Sequence, residues 1–564
     1  MNSNANLIDF YPLFVKMKEM KRKVTKTMKK TRNIIISLLA FFTIIFIYYY
    51  ITLPAINIHS HGFWMFIITA LIVLTLIIGF AANKKGKSMT SYKDFLNGPL
   101  MKVSIILTAA VILFYIGGSL LSSPIINSGK YQKLLPVKEG NFKKDIQEIS
   151  YSEIPVLDKD SAALLGSRKM GSITEYVSQF EVGDNYTQIN YKGVPTRVTP
   201  LEYGNAIKWF TNHSKGIPAY IRIDMTTENV ELVKLSKGIK YSQSDHFGRY
   251  LNRYLRFHYP TYVFSSYNFE IDEAGVPYWV CPVKSYTIGL FGGETVGRVV
   301  LVNAITGDLN NYKVSEVPEW VDRVYSADLL VQQFNYYGTL KHGYLNSIFS
   351  QKDSLQTTKG YNYIALNDDV WVYTGVTSVG QDESNVGFVL MNQRTAETRY
   401  YPVSGAEEYS AMASAEGQVQ HLGYKATFPL LLNIGGEPTY FIALKDDAGL
   451  VKSYAMVNIS RYQIVATAET IKECERQYLQ KLQDDNIIQQ DTDTLQSASG
   501  SIAKLADVVI DGNSHYYILL QGNDGIFDIN VSKFPEIIRY NVGDFIKLTY
   551  TPGTSYNTVE EIQK

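Results

Sequence analysis

The chain has 564 residues, of which 46% are hydrophobic and 19% are charged. At roughly 150 residues per domain, this length predicts three to four domains. The balanced composition excludes a chain that is disordered throughout. With 2 cysteines, the sequence excludes a disulfide framework and any zinc or iron–sulfur site built from cysteines.

The net charge of +1 is the sum of two oppositely charged parts. Residues 1–122 contain 14 Lys and Arg residues against Asp9, Glu19 and Asp94, which gives +11. Residues 123–564 contain the other 40 Lys and Arg residues against 50 Asp and Glu residues, which gives −10. A division of this size predicts that the two parts lie in different compartments or meet different partners.

Three runs near the start of the chain contain no charged residue: residues 34–53, 63–82 and 103–121. Each is long enough to cross the roughly 30 Å hydrocarbon core of a bilayer as a helix. Buried core helices of a soluble protein rarely reach this length without a charge. We therefore predict a three-helix transmembrane anchor over residues 34–122, with the lipid bilayer as its partner.

The basic residues predict the orientation of this anchor. All 14 lie before the first run or between the second and third, and none lies in residues 54–62. Because basic loops remain in the cytoplasm, residues 1–33 form a cytoplasmic leader, and the chain after about residue 125 is extracytoplasmic. Residues 7–30 have an alternative as an amphipathic helix on the inner leaflet, but the basic cluster alone satisfies the topology rule.

A pattern recurs after the anchor: a strand, a polar turn, a second strand and an amphipathic helix. The turn begins at Asp224, Asn303, Asn392 and Asn458, whose short side chains cap the following N–H groups. Helices are predicted over four ranges: residues 245–259, 318–334, 410–419 and 470–482. The spacing of the turns is irregular, which indicates a degenerate duplication.

The stretch VVLVNAITGDLNNYKV, within residues 298–314, and its three relatives resemble the PepSY type of domain. The whole chain also resembles a group of uncharacterised Firmicute membrane proteins with three N-terminal spans. The resemblance implies a bacterial cell membrane and a binding or regulatory module, and it implies no reaction. Residues 123–218 are then a linker and first α+β segment, and residues 219–482 are PepSY-like repeats.

The C-terminal part is predicted to be separate. Residues 483–500 are polar and predict a linker. Residues 501–564 contain five alternating strands and resemble an OB-like barrel. Five basic residues against eight acidic ones give this segment a charge of −3, which opposes nucleic-acid binding. The predicted fold class is thus a membrane-anchored α+β protein with PepSY-like repeats and a small all-β barrel.

Few residues indicate chemistry. His59 and His61 could share a metal on an extended strand, but no carboxylate or thiol lies near them in sequence, so we predict no metal site, no cofactor and no catalytic residues. Residues 289–293 are glycine-rich but lack the phosphate-loop lysine, and predict a hairpin turn. Cys281 and Cys474 are interpreted as buried thiols, with an external disulfide as the alternative.

The sequence favours a non-enzymatic membrane protein that presents a large extracytoplasmic module to an envelope protein or glycan. Some of its 42 tyrosines would supply an amphipathic contact surface. One alternative is a membrane-anchored hydrolase with a site between repeats. Another is a subunit of a transport or secretion complex, although the absence of ionisable residues from the predicted spans disfavours a path through them.

Overall fold

A computed structural model describes residues 11–83, 99–147, 154–366, 368–379, 384–488, 495–510, 513–552 and 556–563. The chain divides into two compact units, Met1–Leu479 and Gln480–Lys564. The first unit contains three long helices and a region rich in β-sheet. The second contains a small barrel.

Three long helices begin the first unit: α1 (Tyr11–Thr52), α2 (His61–Asn83) and α3 (Pro99–Leu121). Each has a window of at least 18 residues with a mean hydropathy of 2.1 to 2.3, so all three are long and apolar enough to cross a membrane. At most 6% of each window is buried, because most of the apolar side chains do not pack into a protein core. The three charge-free runs are thus confirmed as helices of spanning length.

Helix α1 is longer than the predicted span. It contains 42 residues, and at about 1.5 Å per residue it is roughly twice as long as the hydrocarbon core is thick. Residues 13–52 contain neither Gly nor Pro, so nothing in the sequence ends the helix at the start of the apolar run. The basic leader from Tyr11 onwards therefore continues directly into the apolar part of the helix.

Helices α2 and α3 are joined by a polar contact. The hydroxyl oxygens of Thr75 and Ser104 are 2.6 Å apart, and Ser104 is buried. A hydrogen bond of this kind stabilises the pairing of helices whose other side chains are apolar.

Short elements lead from α3 into the β-rich region: α4 (Pro124–Tyr131), β1 (Val137–Glu139) and α5 (Phe142–Asp145). The β-rich region then consists of four modules, and in each of them a helix precedes an antiparallel sheet. The predicted unit, with its helix after the strands, has the same cyclic order but begins one element later, because α6 was not predicted.

The first module covers residues 159–239. Its elements are α6 (Lys159–Gly171), α7 (Thr174–Val177), β2 (Phe180–Val182), β3 (Thr187–Tyr191), β4 (Val194–Tyr203), α8 (Ala206–Asn212), β5 (Ile217–Asp224) and β6 (Val230–Ile239). The strand order is β2-β4-β5-β6, and β3 also pairs with β4. The predicted boundary at residue 218 is wrong, because it cuts β5 and separates strands that share one sheet. Two prolines and a buried Arg in β4 hid this strand from the sequence pattern.

The second module covers residues 251–313. Its elements are α9 (Leu251–His258), β7 (Asn268–Ile271), β8 (Pro277–Ile288), β9 (Gly292–Asn303) and β10 (Leu309–Lys313). The strands lie in the order β10-β9-β8-β7. A 3-10 turn at Phe247–Arg249 precedes α9, so the helix is shorter than predicted.

The third module covers residues 327–401. Its elements are α10 (Ala327–Thr339), α11 (Tyr344–Ile348), β11 (Leu355–Thr357), β12 (Asn362–Leu366), β13 (Asp369–Ser378), β14 (Ser384–Asn385), β15 (Gly387–Asn392) and β16 (Thr398–Tyr401). The sheet has the order β1-β16-β15-β13-β11, with β12 also on β13, and β1 joins it in parallel.

The fourth module follows a short strand, β17 (Gly405–Ala406), which pairs with β14. Its elements are α12 (Glu408–Gln418), β18 (Lys425–Ala426), β19 (Leu430–Ile434), β20 (Glu437–Lys445), β21 (Val451–Asn458), β22 (Val465–Ala468) and α13 (Ile471–Asp484). The order is β18-β20-β21-β22, with β19 also on β20.

All four predicted turn residues lie where the sequence placed them. Asp224, Asn303, Asn392 and Asn458 each end the first strand of an antiparallel hairpin. Each side-chain oxygen accepts a hydrogen bond from a backbone N–H two or three residues later, at 2.8 to 3.1 Å. The side chain therefore supplies the cap that lets the strand reverse.

The second and third modules share one hydrophobic core. Helix α10 lies against both of their sheets, through Leu330 and Phe334, which pack with Val299 of β9 and Val389 of β15. Because one helix serves two sheets, these modules cannot fold as independent repeats.

The second compact unit contains a closed five-stranded barrel. Its strands are β23 (Gln496–Ile510), β24 (Asn513–Leu520), β25 (Ile526–Asn530), β26 (Phe545–Thr551) and β27 (Asn557–Gln563). They close in the order β23-β24-β25-β27-β26, and β25 and β27 pair in parallel. The predicted linker over residues 483–500 is too long, since β23 begins at Gln496 to pair with β26. Residues 489–494 of that linker lie outside the described residues.

Two helical glycines give a matched test of this packing. A Cβ on Gly338 of α10 would lie 2.3 Å from the carbonyl oxygen of Leu355 in β11, whereas a Cβ on Gly417 of α12 would meet nothing within 4 Å. Gly338→Ala should lower the free energy of unfolding by about 1–3 kcal/mol. Gly417→Ala should leave it unchanged or raise it by up to about 1 kcal/mol.

The measurement is urea unfolding of the full chain in detergent micelles, followed by the reaction of buried Cys281 with a thiol reagent. Equal effects of the two substitutions would contradict the close approach of α10 to β11.

Candidate functional site

The turn between β8 and β9 contacts the ends of the long helices. Ser122 Oγ, just after α3, accepts hydrogen bonds from the backbone N–H of Leu290 at 2.8 Å and of Phe291 at 3.2 Å. The ring of Phe291 stacks on His61, at the start of α2, with ring centres 4.3 Å apart. Gly118 of α3 faces the Leu290 side chain, where a Cβ would approach to 2.6 Å. The predicted turn at residues 289–293 is thus confirmed, and it contacts two of the long helices.

A second contact joins α9 to the end of α1. The buried Arg256 donates from Nε to the carbonyl oxygen of Leu53 at 2.9 Å, and from Nη1 to that of Tyr262 at 2.6 Å. The Arg253 guanidinium lies over the ring of Tyr50, 4.0 Å from its centre. Burial lowers the pKa of Arg256, but arginine remains charged, so the helix end receives a cation.

The loop between α1 and α2 completes this contact. The N–H of Ile56 donates to Pro260 O at 2.7 Å, and the Asn57 side chain donates to Thr261 O at 2.9 Å. We call the whole set of contacts the anchor interface, formed by residues 53–61 and 118–122 with residues 253–261 and 289–292.

The two histidines belong to this interface. His59 Nδ1 donates to Leu290 O at 2.7 Å, and His61 Nδ1 lies 3.0 Å from the Tyr115 hydroxyl. The imidazoles therefore face different partners. Among the residues that the structure describes, no group of three His, Cys, Asp or Glu side chains is placed to hold a metal ion.

A wide groove lies between the first and second modules. Its volume is about 780 Å³. Polar and basic side chains predominate among the lining residues, and none of them is acidic: Ser214, Lys215, Gly216, Pro218, Leu235, Ser236, Lys237, Gly238, Lys240, Tyr241, Arg249, Ile305 and Thr306. We call it the basic groove, because four of these residues carry positive charge in a part of the chain whose net charge is negative.

Two glycines form part of the groove wall. Gly216 has φ +83°, and a Cβ there would lie 2.5 Å from the carbonyl oxygen of Ile239. A Cβ on Gly238 would lie 2.5 Å from Lys215 O. The strands β5 and β6 approach closely only because both residues lack a side chain, and their pairing shifts register at this point.

The end of the groove near α8 is held by buried polar contacts. Arg249 Nη1 donates to His213 O at 2.8 Å, which fixes the guanidinium. Behind it, Trp209 Nε1 donates to Asp245 at 2.8 Å. Burial raises the pKa of Asp245 to about 6, although the Trp209 hydrogen bond and Arg249 oppose the shift.

A buried pair of carboxylates lies where the first three modules meet. Glu270 accepts from the backbone N–H groups of Asp322 at 2.9 Å and Arg323 at 3.0 Å, and Asp322 accepts from Asn190 N at 2.7 Å. Burial raises the pKa of Glu270 to about 7 and that of Asp322 well above its usual value. Perturbed carboxylates are candidates for catalysis, but both are fully enclosed and bonded to backbone, so their role here is structural.

The cysteines and many tyrosines lie in the core. Cys281 Sγ donates to Trp279 O at 3.6 Å, and Cys474 Sγ donates to Ala466 O at 3.4 Å. Both remain thiols, as the sequence favoured. Tyr220, Tyr373, Tyr401 and Tyr440 are fully buried, so they cannot supply a contact surface.

The sequence did not predict the basic groove. Residues 123–564 were judged by their net charge, which conceals a local cluster. Its local signal is confined to Lys237 and Lys240, which lie on either side of Gly238 at the end of a strand. The partner Arg249 lies on another module, and only the fold brings it near.

Comparisons with known proteins do not assign this site. No protein-family model and no curated protein matches the chain. A solved structure of a Bombyx mori GH32 beta-fructofuranosidase in complex with sucrose aligns with 71% of this chain and 69% of its own, at 10% identity and a TM-score of 0.18. A TM-score this low carries no argument about fold or function.

The buried Glu270 should make stability depend on pH. The pKa of Glu270 in the folded state lies above the unfolded value of about 4.3. Between these two pKa values the folded state binds one more proton than the unfolded state, so the free energy of unfolding falls as pH rises from about 4.5 to 7. Glu270→Gln removes this proton. The free energy of unfolding of the wild type, relative to the variant, should therefore increase as pH falls from about 7.5 to 5.

Urea unfolding of the full chain across this pH range tests the expectation. A constant difference between wild type and Glu270→Gln would show that Glu270 does not titrate in this range.

Proposed function

We propose that this chain is a non-enzymatic, multi-pass bacterial membrane protein that presents an extracytoplasmic binding module at the cell envelope. Three helices of spanning length support the membrane location. Basic residues before the apolar part of α1, and between the apolar parts of α2 and α3, support a cytoplasmic N-terminus. The β-rich region and the barrel follow α3 and are then extracytoplasmic.

The folds proposed for the two parts are PepSY-like and OB-like. The order of helix and antiparallel hairpin in each module, with an Asp or Asn cap at the turn, supports the first. The barrel order β23-β24-β25-β27-β26 supports the second, since OB barrels are five-stranded Greek-key barrels.

The basic groove carries the proposal of binding. Lys215, Lys237, Lys240 and Arg249 line a volume of about 780 Å³, and no acidic residue lines it. A cleft lined by one sign of charge concentrates its field and attracts ligands of the other sign. The partner is therefore an anionic envelope component, a glycan or protein that bears phosphate or carboxylate groups.

The same lining supports binding rather than hydrolysis. None of the groove residues is a carboxylate, imidazole or thiol, so the groove holds none of the usual groups that activate water or protonate a leaving group. The hydrolase alternative gains no support from the groove.

The barrel is proposed to bind no nucleic acid. Its segment has a charge of −3, and the ammonium group of Lys533 lies 3.0 Å from Glu560, which reduces the positive field further.

The test uses the full chain in nanodiscs of phosphatidylcholine alone, so that anionic lipids do not compete. Fluorescent polyphosphate and polygalacturonate serve as phosphate and carboxylate probes. The double variant Lys237→Gln/Lys240→Gln should weaken binding of at least one probe by about tenfold or more, because two charged contacts are lost. Lys472→Gln, which removes an exposed lysine from α13, should leave binding unchanged.

The same probe tests the orientation, because neither polymer crosses a membrane. Intact cells that produce the protein should bind it from outside, and cells with the double variant should bind less. Equal loss with Lys472→Gln would contradict the groove, and binding to nanodiscs without binding to intact cells would contradict the orientation.

A further inference from the structure

Two groups of large apolar side chains are exposed on the β-rich region, and both adjoin the ends of the long helices. The α8 patch consists of Ile207, Phe210, Phe247 and Phe257. The α11 patch consists of Ile125, Ile126, Leu345, Ile348 and Phe349. Scattered exposed apolar residues need no explanation, but grouped ones indicate an interaction surface.

The α8 patch is continuous with the end of α1. The Phe257 ring lies 6.4 Å from the ring of Tyr49 and 6.5 Å from that of Tyr50, measured between ring centres. Arg253, over the Tyr50 ring, also donates to the carbonyl oxygen of Phe247 at 3.0 Å. The patch is therefore tied to the last turns of the first spanning helix.

Phe247 is held outward by strained backbone. Its φ is +52°, a left-handed value that side chains other than Gly rarely adopt, and 66% of the residue is exposed. The ring of Trp209 approaches it from one side, with centres 5.8 Å apart. Strain that presents an aromatic ring to the surroundings is typical of a contact site.

The α11 patch is continuous with the end of α3. Helix α4, which carries Ile125 and Ile126, begins at Pro124 directly after α3. Tyr131 of α4 and Tyr344 of α11 pack in one cluster, which places the two short helices side by side. Phe349, which is 80% exposed, follows α11 immediately.

Basic side chains accompany the α8 patch. Lys208 lies next to Ile207 in sequence on α8, and Arg249 and Arg253 flank Phe247. Apolar side chains beside Lys and Arg are the combination that binds the boundary between lipid headgroups and acyl chains.

We propose that the β-rich region lies on the bilayer through these two patches, one joined to the end of α1 and the other to the end of α3. Both patches contact the leaflet in which α1 and α3 end. Each patch is joined to one of these helix ends, and the bilayer surrounds both helix ends. Phe210, Phe247 and Phe349 enter the headgroup boundary, and Lys208 and Arg253 contact lipid phosphates. The inference depends on the three helices spanning the membrane, and it does not depend on ligand binding in the basic groove.

The test places a nitroxide label on single cysteines in the full chain, in nanodiscs of phosphatidylcholine and phosphatidylglycerol. The variants are Phe210→Cys and Phe349→Cys, and Leu422→Cys is the control because Leu422 is also exposed, on the fourth module. Cys281 and Cys474 are both 0% exposed and should not react with the nitroxide label. Treating the wild-type protein with the same label is the control for this expectation. The readout is collision of the label with oxygen, which enters lipid, against collision with a water-soluble nickel complex.

The ratio of oxygen to nickel collisions should be higher by about threefold or more at 210 and 349 than at 422. Ratios equal to that of the control at both positions would overturn the proposal, and so would a raised ratio at one patch alone. Retained protection of Cys281 in each variant shows that a negative result is not caused by unfolding. Loss of groove binding in the polymer experiment would not change these ratios, so the two proposals fail separately.

Discussion

The position of the β-rich region depends on hydrogen bonds that the ends of the long helices cannot make for themselves. The last carbonyl groups of a helix have no partner within it. Arg256 donates to Leu53 O just past α1, and Asn127 donates to Leu121 O at the end of α3, at 2.7 Å. Ser122 donates to Gly118 O at 2.6 Å while it accepts from the β8–β9 turn. The same contacts thus satisfy the hydrogen-bonding groups of the helix ends and attach the modules to these ends.

The anchor interface also determines the positions of the other surfaces. Helix α9 carries Arg253 and Arg256, which contact the end of α1, and Arg249 of the basic groove lies one turn earlier in the chain. The first three modules are joined by the buried Glu270 and Asp322, and by helix α10, which the second and third modules share. The anchor interface therefore positions the first and third modules as well as the second.

The fold was predictable where one physical signal dominated. Charge-free runs identified the three long helices, and the Asp and Asn caps located four hairpins. The five barrel strands were predictable from their alternation, but the inward face of β24 was not: Ile518 and Leu520 are buried, whereas Tyr517 and Leu519 are only partly buried. The run of five apolar residues in β24 has no alternation, and a shift of one residue exchanges the two faces.

The candidate site was much less predictable. The basic groove combines Lys237 of β6 with Arg249 from the next module, and the anchor interface joins residues more than 200 positions apart in sequence, such as Leu53 and Arg256. His59 was examined as a metal ligand because its neighbours in space were unknown. Such sites depend on long-range contacts, for which local pattern carries no signal.

The most direct test of this account is a disulfide across the anchor interface. A Cβ on Gly289 would lie 3.3 Å from Ser122 Cβ, near the roughly 3.5–4.5 Å found in disulfides. In native membranes, the double variant Ser122→Cys/Gly289→Cys should form this bond under mild oxidant, and both new thiols should stop reacting with maleimide. Each single variant should keep a reactive thiol. Because Gly289 has φ +59°, which strains any other residue, protection of Cys281 must show that the double variant is folded. Two reactive thiols in the oxidised, folded double variant would show that the β-rich region does not lie on the helix ends, and would contradict the account.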